Sequence, residues 1–295
     1  MNTTPLRARS FAKVNLALSV LGRRRDGYHD IQTIFQSIDL YDEIEFRASQ
    51  RIELRCENLP GTPREDNLVW KAATTLASAV PGQRGVSITL RKKIPPGSGL
   101  GGGSSNAAAT LLGLCRFWHL EESGIDLFSL AAMLGSDVPF FLSGGTASGS
   151  GRGEKIEPLP DVPPEYLVVI FPGVHVSTAE AYRALNLGLT SSEEDHRIQR
   201  FRGQVQKGER CPTGIFNDFE ASILPAYPPI MEAHRFLKER GSTATLLSGS
   251  GSSVFGFFSD EESAFAVARE KIRETWRMFP AKTLSRAEYF QNMFG

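Results

Sequence analysis

The sequence has no excess of either charge, few cysteines and no long apolar run, and each absence excludes a class of protein. Lysine and arginine together number 33, as do aspartate and glutamate. A balanced chain has no general attraction to nucleic acid or to an anionic membrane, so any anion site has to be local. The cysteines, Cys56, Cys115 and Cys211, lie far apart. This spacing argues against a disulfide framework or a zinc site and fits a reducing compartment. Residues 1–10 lack the apolar core of a signal peptide, and we expect a cytoplasmic protein.

The overall composition is that of an ordinary globular protein. The chain has 295 residues, of which 41% are hydrophobic and 22% are charged. This length allows one large domain or two domains of average size. Composition leaves the oligomeric state open between a monomer and a weak homodimer.

The segment from 92 to 109 is the most informative part of the sequence and reads KKIPPGSGLGGGSSNAAA. Its five glycines leave backbone N–H groups free to turn towards a ligand and permit positive φ angles. Apolar residues alternate upstream, over 86–90, as in a half-buried strand, and recur at helical spacing over 107–118. Residues 104–106, Ser-Ser-Asn, are types that favour helix N-caps. We therefore expect the loop to open onto a helix N-terminus, where the helix dipole attracts an anion such as phosphate.

Two other phosphate-binding motifs fit this segment less well. Gly97, Gly99 and Gly102 match the G-x-G-x-x-G pattern of dinucleotide-binding folds. That motif follows an apolar strand directly, whereas residues 91–96 intervene here. A Walker A loop would close on Gly-Lys-Ser or Gly-Lys-Thr, which this segment lacks. An NAD-binding oxidoreductase and a surface loop without a ligand remain alternatives at this point.

A strand is predicted over 11–18, where apolar residues alternate with Lys13 and Asn15. These two side chains would project side by side from the same face of the strand. They belong either to a solvated outer face or to a polar site. The Asp26-Gly27 dipeptide predicts a turn that pairs this strand with the following apolar run as a hairpin.

Helices and strands of moderate length are predicted along the rest of the chain. We predict helices over 67–79, 127–134, 230–240 and 264–272, a strand over 167–171, and helices that start near Ser177 and Asn217. Ser177 and Glu180 have the spacing of a capping box, and His234 is expected on a helix surface. The polar segment 191–210 is predicted to be a surface loop, and 287–295 has no interpretable pattern.

A single acid, Asp137, stands among apolar residues in the segment Ser-Asp-Val-Pro-Phe-Phe over 136–141. Such an aspartate either shapes a turn before Val-Pro or takes the proton of an attacking hydroxyl, as the catalytic aspartate of kinases does. A second glycine-rich stretch follows over 144–153, and residues 151–154 are predicted to form the crossing between two halves of the chain.

The segment 95–109 resembles the ATP-binding signature of the GHMP kinases, named for galactokinase, homoserine kinase, mevalonate kinase and phosphomevalonate kinase. A third glycine-rich segment, 246–256, resembles their C-terminal signature. The resemblance implies an α+β, two-domain GHMP kinase fold. Its N-terminal ATP-binding domain, similar to domain 2 of ribosomal protein S5, is expected over 1–154, and its C-terminal GHMP domain over 155–295.

Four N-terminal segments narrow the resemblance to one branch of the superfamily, which belongs to the non-mevalonate isoprenoid pathway. They are Lys13-Val14-Asn15-Leu16, Gly22-Arg23-Arg24, Asp26-Gly27-Tyr28-His29 and Leu40-Tyr41-Asp42-Glu43. The implied small-molecule substrate is a cytidine diphosphate-linked methylerythritol, phosphorylated on its 2-hydroxyl, and the implied cofactors are ATP and Mg²⁺.

The resemblance also implies roles for particular residues. Lys13 and Asp137 are the expected catalytic pair, with Asp137 as the base and Lys13 keeping it ionised. Acceptor-binding roles are implied for Asn15, Tyr28, His29, Thr178 and Tyr182, with cytosine between the rings of Tyr28 and Tyr182. ATP-binding roles are implied for Asn67, Leu68, Lys92, Pro96, Gly97, Ser98, Gly99, Leu100, Gly101, Gly102, Gly103, Ser104, Ser105 and Asn106. Ser105 is also a candidate magnesium ligand. Another GHMP small-molecule kinase and a catalytically silent nucleotide-binding protein remain alternatives.

Overall fold

A computed structural model describes residues 4–58, 61–185, 192–208 and 214–294, with the backbone alone for 192–196. The elements up to residue 158 are β1 (Leu6–Arg23), β2 (His29–Arg47), β3 (Ile52–Glu57), α1 (Leu68–Ser78), β4 (Val86–Arg91), α2 (Gly102–Phe117), α3 (Leu127–Leu134), α4 (Val138–Ser143), β5 (Thr146–Gly151) and β6 (Lys155–Pro158).

Those that follow are β7 (Tyr166–Phe171), α5 (Thr178–Ala184), α6 (Ser192–Gln206), β8 (Phe216–Asn217), α7 (Glu220–Ala226), α8 (Pro228–Glu239), β9 (Ala244–Leu247), β10 (Val254–Phe258), α9 (Glu261–Ala268), β11 (Arg277–Lys282) and α10 (Arg286–Met293).

The described strands form two sheets. The first has the order β3-β4-β2-β1-β8, and the long strand β2 also pairs with β5, which pairs with β6. The second has the order β11-β7-β10-β9. Strands β10 and β11 both run antiparallel to β7, so the chain between them, which includes α9, is a crossover connection. The mixture of largely antiparallel sheets, with parallel pairing only between β3 and β4 and between β1 and β8 among the described strands, and packed helices confirms the predicted α+β class.

The predicted hairpin joins β1 and β2, which pair from Arg23 opposite His29 to Leu6 opposite Phe46. Gly27 has φ +87°, a conformation that glycine adopts without steric cost, so the Asp-Gly turn closes here as predicted. Residues 10–20 of β1 are all buried, because α2, α6 and α10 pack against this strand. The alternative of a solvated face for Lys13 and Asn15 is therefore wrong.

The hydrophobic core follows the two sheets. One cluster joins the first sheet to α1, α2, α3 and α4, with side chains such as Phe46, Leu76 and Leu111 fully buried. Two further clusters fill the space around the second sheet and join it to β1 and to α5–α9. Among the described residues, no helix has both the length and the apolar character that crossing a membrane requires.

Several local predictions were wrong. Helix α2 begins at Gly102 with Gly101 as its N-cap, so residues 104–106 lie inside the first turns. The Ser177 side chain caps nothing, and the predicted capping box is absent. His234 is 8% exposed, because its face of α8 packs on the second sheet. Helix α6 replaces the predicted loop within 191–210, since Ile198, Phe201 and Val205 form a narrow buried stripe along it.

Residues 151–154 do not cross between halves of the chain. They form the turn between β5 and β6, which both belong to the first sheet, and the second sheet starts at Tyr166. Elements late in the chain also contact the first sheet, since β8 pairs with β1 and α10 packs on it. A division into domains at residue 154 stays a prediction.

Candidate active site

One large cleft lies between the first sheet and the loops that follow β7 and β9, and it has a volume of about 1390 Å³. Its walls come from β1 and β2, from the glycine-rich loop 92–101 (the first loop), from the end of α3, from α5 and from the β9–β10 loop 248–253 (the third loop). Distant parts of the chain therefore supply the lining, and the first loop, Lys13 and Asp137 all face the same space.

The first loop passes directly over Lys13 before α2 begins. Gly101 is the N-cap of α2 and has φ +69°. A Cβ at this position would lie 2.7 Å from the ring of Phe141 and 3.1 Å from Cγ of Lys13, so only glycine permits this close approach. The Lys13 N–H donates to the Leu100 carbonyl over 3.0 Å. The first N–H groups of a helix lack intrahelical acceptors, so the start of α2 presents donors and a positive dipole end beside Lys13.

The third loop packs against the first loop and is joined to it by two hydrogen bonds. The Ser248 hydroxyl donates to the Gly99 carbonyl over 2.9 Å, and the Ser253 N–H donates to the Ser98 carbonyl over 2.9 Å. Asn217 holds the third loop by donating from its amide nitrogen to the carbonyls of Leu247 and Gly249. The first and third of the glycine-rich segments found in the sequence thus form one two-layered structure.

Lys13, Asn15 and Asp137 form a short polar chain under the loops. Lys13 Nζ lies 2.6 Å from Asn15 Oδ1 and 3.7 Å from Asp137 Oδ2. Asn15 donates from Nδ2 to the Thr33 hydroxyl, which in turn donates to the Ala17 carbonyl. Asp137 stands at the N-cap position of α4 but makes no capping hydrogen bond, and its side chain is 32% exposed. Its carboxylate is therefore available to a molecule in the cleft.

Burial and charge act in opposite directions on Lys13. The residue is 3% exposed, and desolvation lowers the pKa of its ammonium group, while the Asp137 carboxylate raises it. Burial and, to a smaller extent, the charge of Asp137 raise the pKa of the Tyr182 phenol to about 12. Tyr182 therefore stays neutral at physiological pH.

Aromatic rings line the other end of the cleft. The ring stacked on Tyr182 is that of His29, with centroids 4.5 Å apart and planes 10° from parallel. Tyr28 is 57% exposed and lies under the guanidinium of Arg152. Burial and, to a smaller extent, the positive charge of Arg23 lower the pKa of the His29 imidazole. Thr178 lines the same end, with its hydroxyl 3.3 Å from that of Ser250. A role for these residues in holding cytosine stays a prediction.

Several predicted nucleotide-binding side chains are engaged inside the protein. Lys92 is buried and bonds to Asp42 and to Asn106 Oδ1. Asn106 also donates to Ser10 and Asp42. Asn67 caps α1 by accepting from the Val69 N–H. Leu68 packs against the core of the first sheet, where its Cδ1 would be 3.5 Å from a Cβ on Gly103.

Ser105 is engaged as well, whereas Ser104 lines the cleft. The Ser105 hydroxyl donates to the Phe11 carbonyl over 2.6 Å and lies 2.7 Å from that of Ser10. The residue is fully buried, so it is not placed to bind a metal in the cleft. Of the two serines, Ser104 is the one whose position fits a ligand.

Other lining residues were not identified from the sequence. They include Arg23, Phe35, Arg152, His175, Phe219 and Gly249. His175 contacts the start of the first loop, since a Cβ on Gly97 would lie 2.6 Å from its Nδ1. Arg23 belongs to one of the quoted N-terminal motifs and Arg152 lies in the turn over 151–154, and neither had been given a role in the site. His175 and Phe219 have no local pattern that marks them.

A magnesium ion would find only part of its coordination shell in the protein. Among the described residues, no group of three His, Cys, Asp or Glu side chains is arranged to hold a metal. The Asp137 carboxylate and the Ser104 hydroxyl are oxygen ligands facing the cleft. Mg²⁺ prefers oxygen and keeps several waters or phosphate oxygens, so this donor set fits an ion that enters with a nucleotide's phosphates.

Family models match both halves of the chain. The model of the GHMP kinases N terminal domain matches residues 67–145, and the GHMP kinases C terminal model matches residues 209–277. These two ranges contain the first loop, Asp137 and the third loop.

Similar proteins agree with these models. A 4-diphosphocytidyl-2-C-methyl-D-erythritol kinase of Syntrophus aciditrophicus is 44% identical over 260 residues, which cover 88% of this chain and 92% of that protein. One of Pelotomaculum thermopropionicum is 41% identical and covers 93% and 96%. A crystal structure of 4-(cytidine 5'-diphospho)-2C-methyl-D-erythritol kinase has a TM-score of 0.77 and 36% identity, covering 94% of this chain and 99% of that one. A homoserine kinase from Cytophaga hutchinsonii, at 17% identity and a TM-score of 0.70, covers 97% and 96% and shares the fold.

Proposed function

The chain belongs to the GHMP kinases and, within them, to the 4-diphosphocytidyl-2-C-methyl-D-erythritol kinases, and from this premise we propose its reaction and the residues that carry it out. As a member of this family it is an ATP-dependent small-molecule kinase. The proposed reaction transfers the γ-phosphoryl group of ATP to the 2-hydroxyl of 4-diphosphocytidyl-2-C-methyl-D-erythritol. The products are ADP and the 2-phosphate. A cytoplasmic location, which supplies ATP, is part of the proposal.

One observation carries the assignment of the catalytic pair: Lys13 Nζ and Asp137 Oδ2 lie 3.7 Å apart in the cleft, and the Lys13 side chain passes Gly101, the N-cap of α2, where a Cβ would lie 3.1 Å from its Cγ. Phosphoryl transfer needs an acceptor oxygen, a base for its proton and donors for the phosphate charge within one small volume. The cleft supplies a carboxylate, an ammonium group and backbone N–H groups together.

In the proposed step, the acceptor hydroxyl attacks the γ-phosphorus and gives its proton to Asp137. The bond from that phosphorus to the β–γ bridging oxygen breaks, and ADP leaves with the electron pair. In this proposal Lys13 pairs with the Asp137 carboxylate and balances charge that develops on the acceptor oxygen. Asn15 orients Lys13 through the 2.6 Å contact and is itself held by Thr33.

The first loop is proposed to hold the phosphates. Its backbone N–H groups and the N-terminus of α2 offer hydrogen-bond donors and the positive end of a dipole to the β- and γ-phosphates. Mg²⁺, held by phosphate oxygens with Ser104 as protein ligand, would neutralise charge between the phosphates. Ser105 is not part of this proposal, because its hydroxyl is engaged with Phe11.

The acceptor end of the cleft is proposed to bind cytidine diphosphate. Stacking suits a flat base, and the stacked pair of His29 and Tyr182 brings two aromatic rings to this end of the cleft. Cytosine would stack against one of these rings while polar groups such as Thr178 contact the rest of the acceptor. Arg23 and Arg152 carry positive charge to the same wall, which favours an anionic acceptor.

The direct test is ADP release by the purified protein with ATP, magnesium and the proposed acceptor. Turnover with this acceptor and little or none with mevalonate or homoserine is expected. Equal turnover of all three would favour another GHMP kinase activity. ATP binding without ADP release from any of them would favour a catalytically silent nucleotide-binding protein.

A further inference from the structure

Helix α4, which directly follows Asp137, has only six residues. A helix this short is not stable in isolation, so contacts at its ends and along its sides decide where it lies. Its side chains are buried, and Phe140 packs on Phe35 with ring centroids 4.8 Å apart. Because Asp137 is the residue before the first turn, any shift of α4 moves its carboxylate relative to Lys13.

The last helix of the chain, α10, contacts the other end of α4 through Tyr289. This tyrosine is fully buried, and its hydroxyl donates to the Phe141 carbonyl over 2.8 Å. Its ring lies against the backbone of Gly144, where a Cβ would come within 2.4 Å of Cδ1. Burial raises the pKa of the Tyr289 phenol far above its ordinary value, so the hydroxyl stays a donor.

Arg286, at the start of α10, makes a second set of contacts with the same region. Its Nε donates to the Ser143 carbonyl over 3.2 Å, and Nη2 donates to the Thr146 carbonyl over 2.8 Å. The backbone N–H of Arg286 donates to Asp161 Oδ2 over 3.0 Å. The last carbonyls of a helix have no intrahelical donor, so Tyr289 and Arg286 supply donors that α4 cannot supply itself.

Helix α10 is itself firmly attached to the first sheet. A reciprocal capping box between Ser285 and Glu288 starts the helix, and the Leu284 N–H donates to the Ser37 carbonyl over 2.9 Å. Gln36 donates to the Leu284 carbonyl. The support that α10 gives to α4 is therefore anchored on β2 on its other side.

We infer that Tyr289 and Arg286 are positioning residues that hold the C-terminal end of α4 and thereby keep the Asp137 carboxylate beside Lys13. This inference rests on the proposed function, in which Asp137 is the base. Phe141 extends the same support, because its carbonyl accepts from Tyr289 while its ring contacts Gly101 of the first loop. Helix α10 thus contributes to the placement of a catalytic pair whose members, Lys13 and Asp137, both lie in the first half of the sequence.

The test is the substitution Tyr289→Phe, which removes one hydroxyl and keeps the ring. A buried carbonyl left without its donor favours a shift of α4 towards another partner. We expect kcat to fall about tenfold, because small misplacements of a reacting group are costly, while KM for ATP and for the acceptor change less than about twofold. Arg286→Met, which keeps the apolar stem and removes the donors, is expected to act in the same direction.

Met293→Ala is the matched control. Met293 is 1% exposed on the same helix and packs with Phe11 and Leu284. Its truncation should lower the melting temperature at least as much as Tyr289→Phe but leave kcat within about twofold. If both variants lose kcat in proportion to melting temperature, the effect is general destabilisation and the inference is wrong.

Two readouts separate positioning from a structural role. If Tyr289 acts through Asp137, Tyr289→Phe should lower the rate of wild-type protein but not the residual rate of an Asp137→Asn variant. Equal losses in both backgrounds would overturn the inference.

The second readout is amide hydrogen exchange, which can be measured without the acceptor substrate. Tyr289→Phe should increase exchange over residues 138–146, and unchanged exchange there would also overturn the inference. Absence of wild-type turnover with the proposed acceptor would count against the proposed function alone.

Discussion

Replacing Gly99 by alanine is expected to separate the two glycine-rich loops. Gly99 has φ +79°, and a Cβ there would lie 2.1 Å from the Ser248 carbonyl oxygen and 2.9 Å from that of Gly251. Both contacts are with backbone, so no side-chain rotation relieves them. Ordinary contact starts at 3.4 Å, and the loops therefore have to move apart by about 1.3 Å.

This displacement gives the expected magnitude. A misplacement of about 1 Å in a catalytic arrangement can lower the rate about 10²-fold, which corresponds to roughly 2.7 kcal/mol of transition-state stabilisation. The left-handed backbone adds a separate cost of about 1–2 kcal/mol to folding for any residue with a Cβ. Gly99→Ala should thus lower kcat/KM about 100-fold and also lower the melting temperature.

Gly124→Ala is the control for the backbone strain that an alanine at positive φ introduces, because it has that strain without the steric contacts of Gly99→Ala. Gly124 has φ +71° and lies in the connection between α2 and α3, where a Cβ would meet no other atom within 4 Å. It should lose similar stability and keep kcat/KM for ATP within about twofold. Steady-state kinetics with ADP release measure both variants. A Gly99→Ala protein with wild-type kcat/KM would refute the proposed role of the loop contact.

Three further predictions concern single residues. Asp137→Asn should lower kcat by about 10²–10⁴-fold while the affinity for an ATP analogue, measured by calorimetry, changes little; an active variant would remove Asp137 from the base role. Tyr182→Leu should raise KM for the acceptor about tenfold and leave KM for ATP unchanged, and an unchanged acceptor KM would exclude stacking on Tyr182. Burial raises the pKa of Glu220 to about 7 from 4.5, so its contribution to stability is complete below pH 4.5 and is lost as the pH rises through 7. Glu220→Gln should make the fall in unfolding free energy from pH 5 to pH 8, measured with urea, smaller by about 2–3 kcal/mol, and an unchanged fall would contradict this.

Local sequence patterns predicted much of the fold because alternation and turn chemistry act over short distances. The β1–β2 hairpin follows from the alternating apolar residues and from Asp26-Gly27. Helix α10 was missed although Ser285 and Glu288 have capping-box spacing, because only Tyr289 and Met293 of its residues are buried and they form too sparse an apolar pattern. Its stability comes from contacts with α4 and β1, which no local pattern records.

The candidate site, too, was predictable only in the parts that local sequence patterns determine. The motifs around Lys13, Gly101 and Asp137 were recognisable one by one, and their residue types indicated phosphate chemistry. Their meeting in one cleft depends on packing between segments that are distant in the sequence. The burial of Lys92 and Ser105 could not be predicted either, because their partners Asp42 and Phe11 come from other strands.

A crystal structure of the protein with a non-hydrolysable ATP analogue, magnesium and the acceptor tests the central claim most directly. We expect the γ-phosphate at the backbone N–H groups around Gly101, with the acceptor 2-hydroxyl between it and the Asp137 carboxylate. A triphosphate bound away from this loop, or an acceptor hydroxyl out of reach of Asp137, would contradict the account.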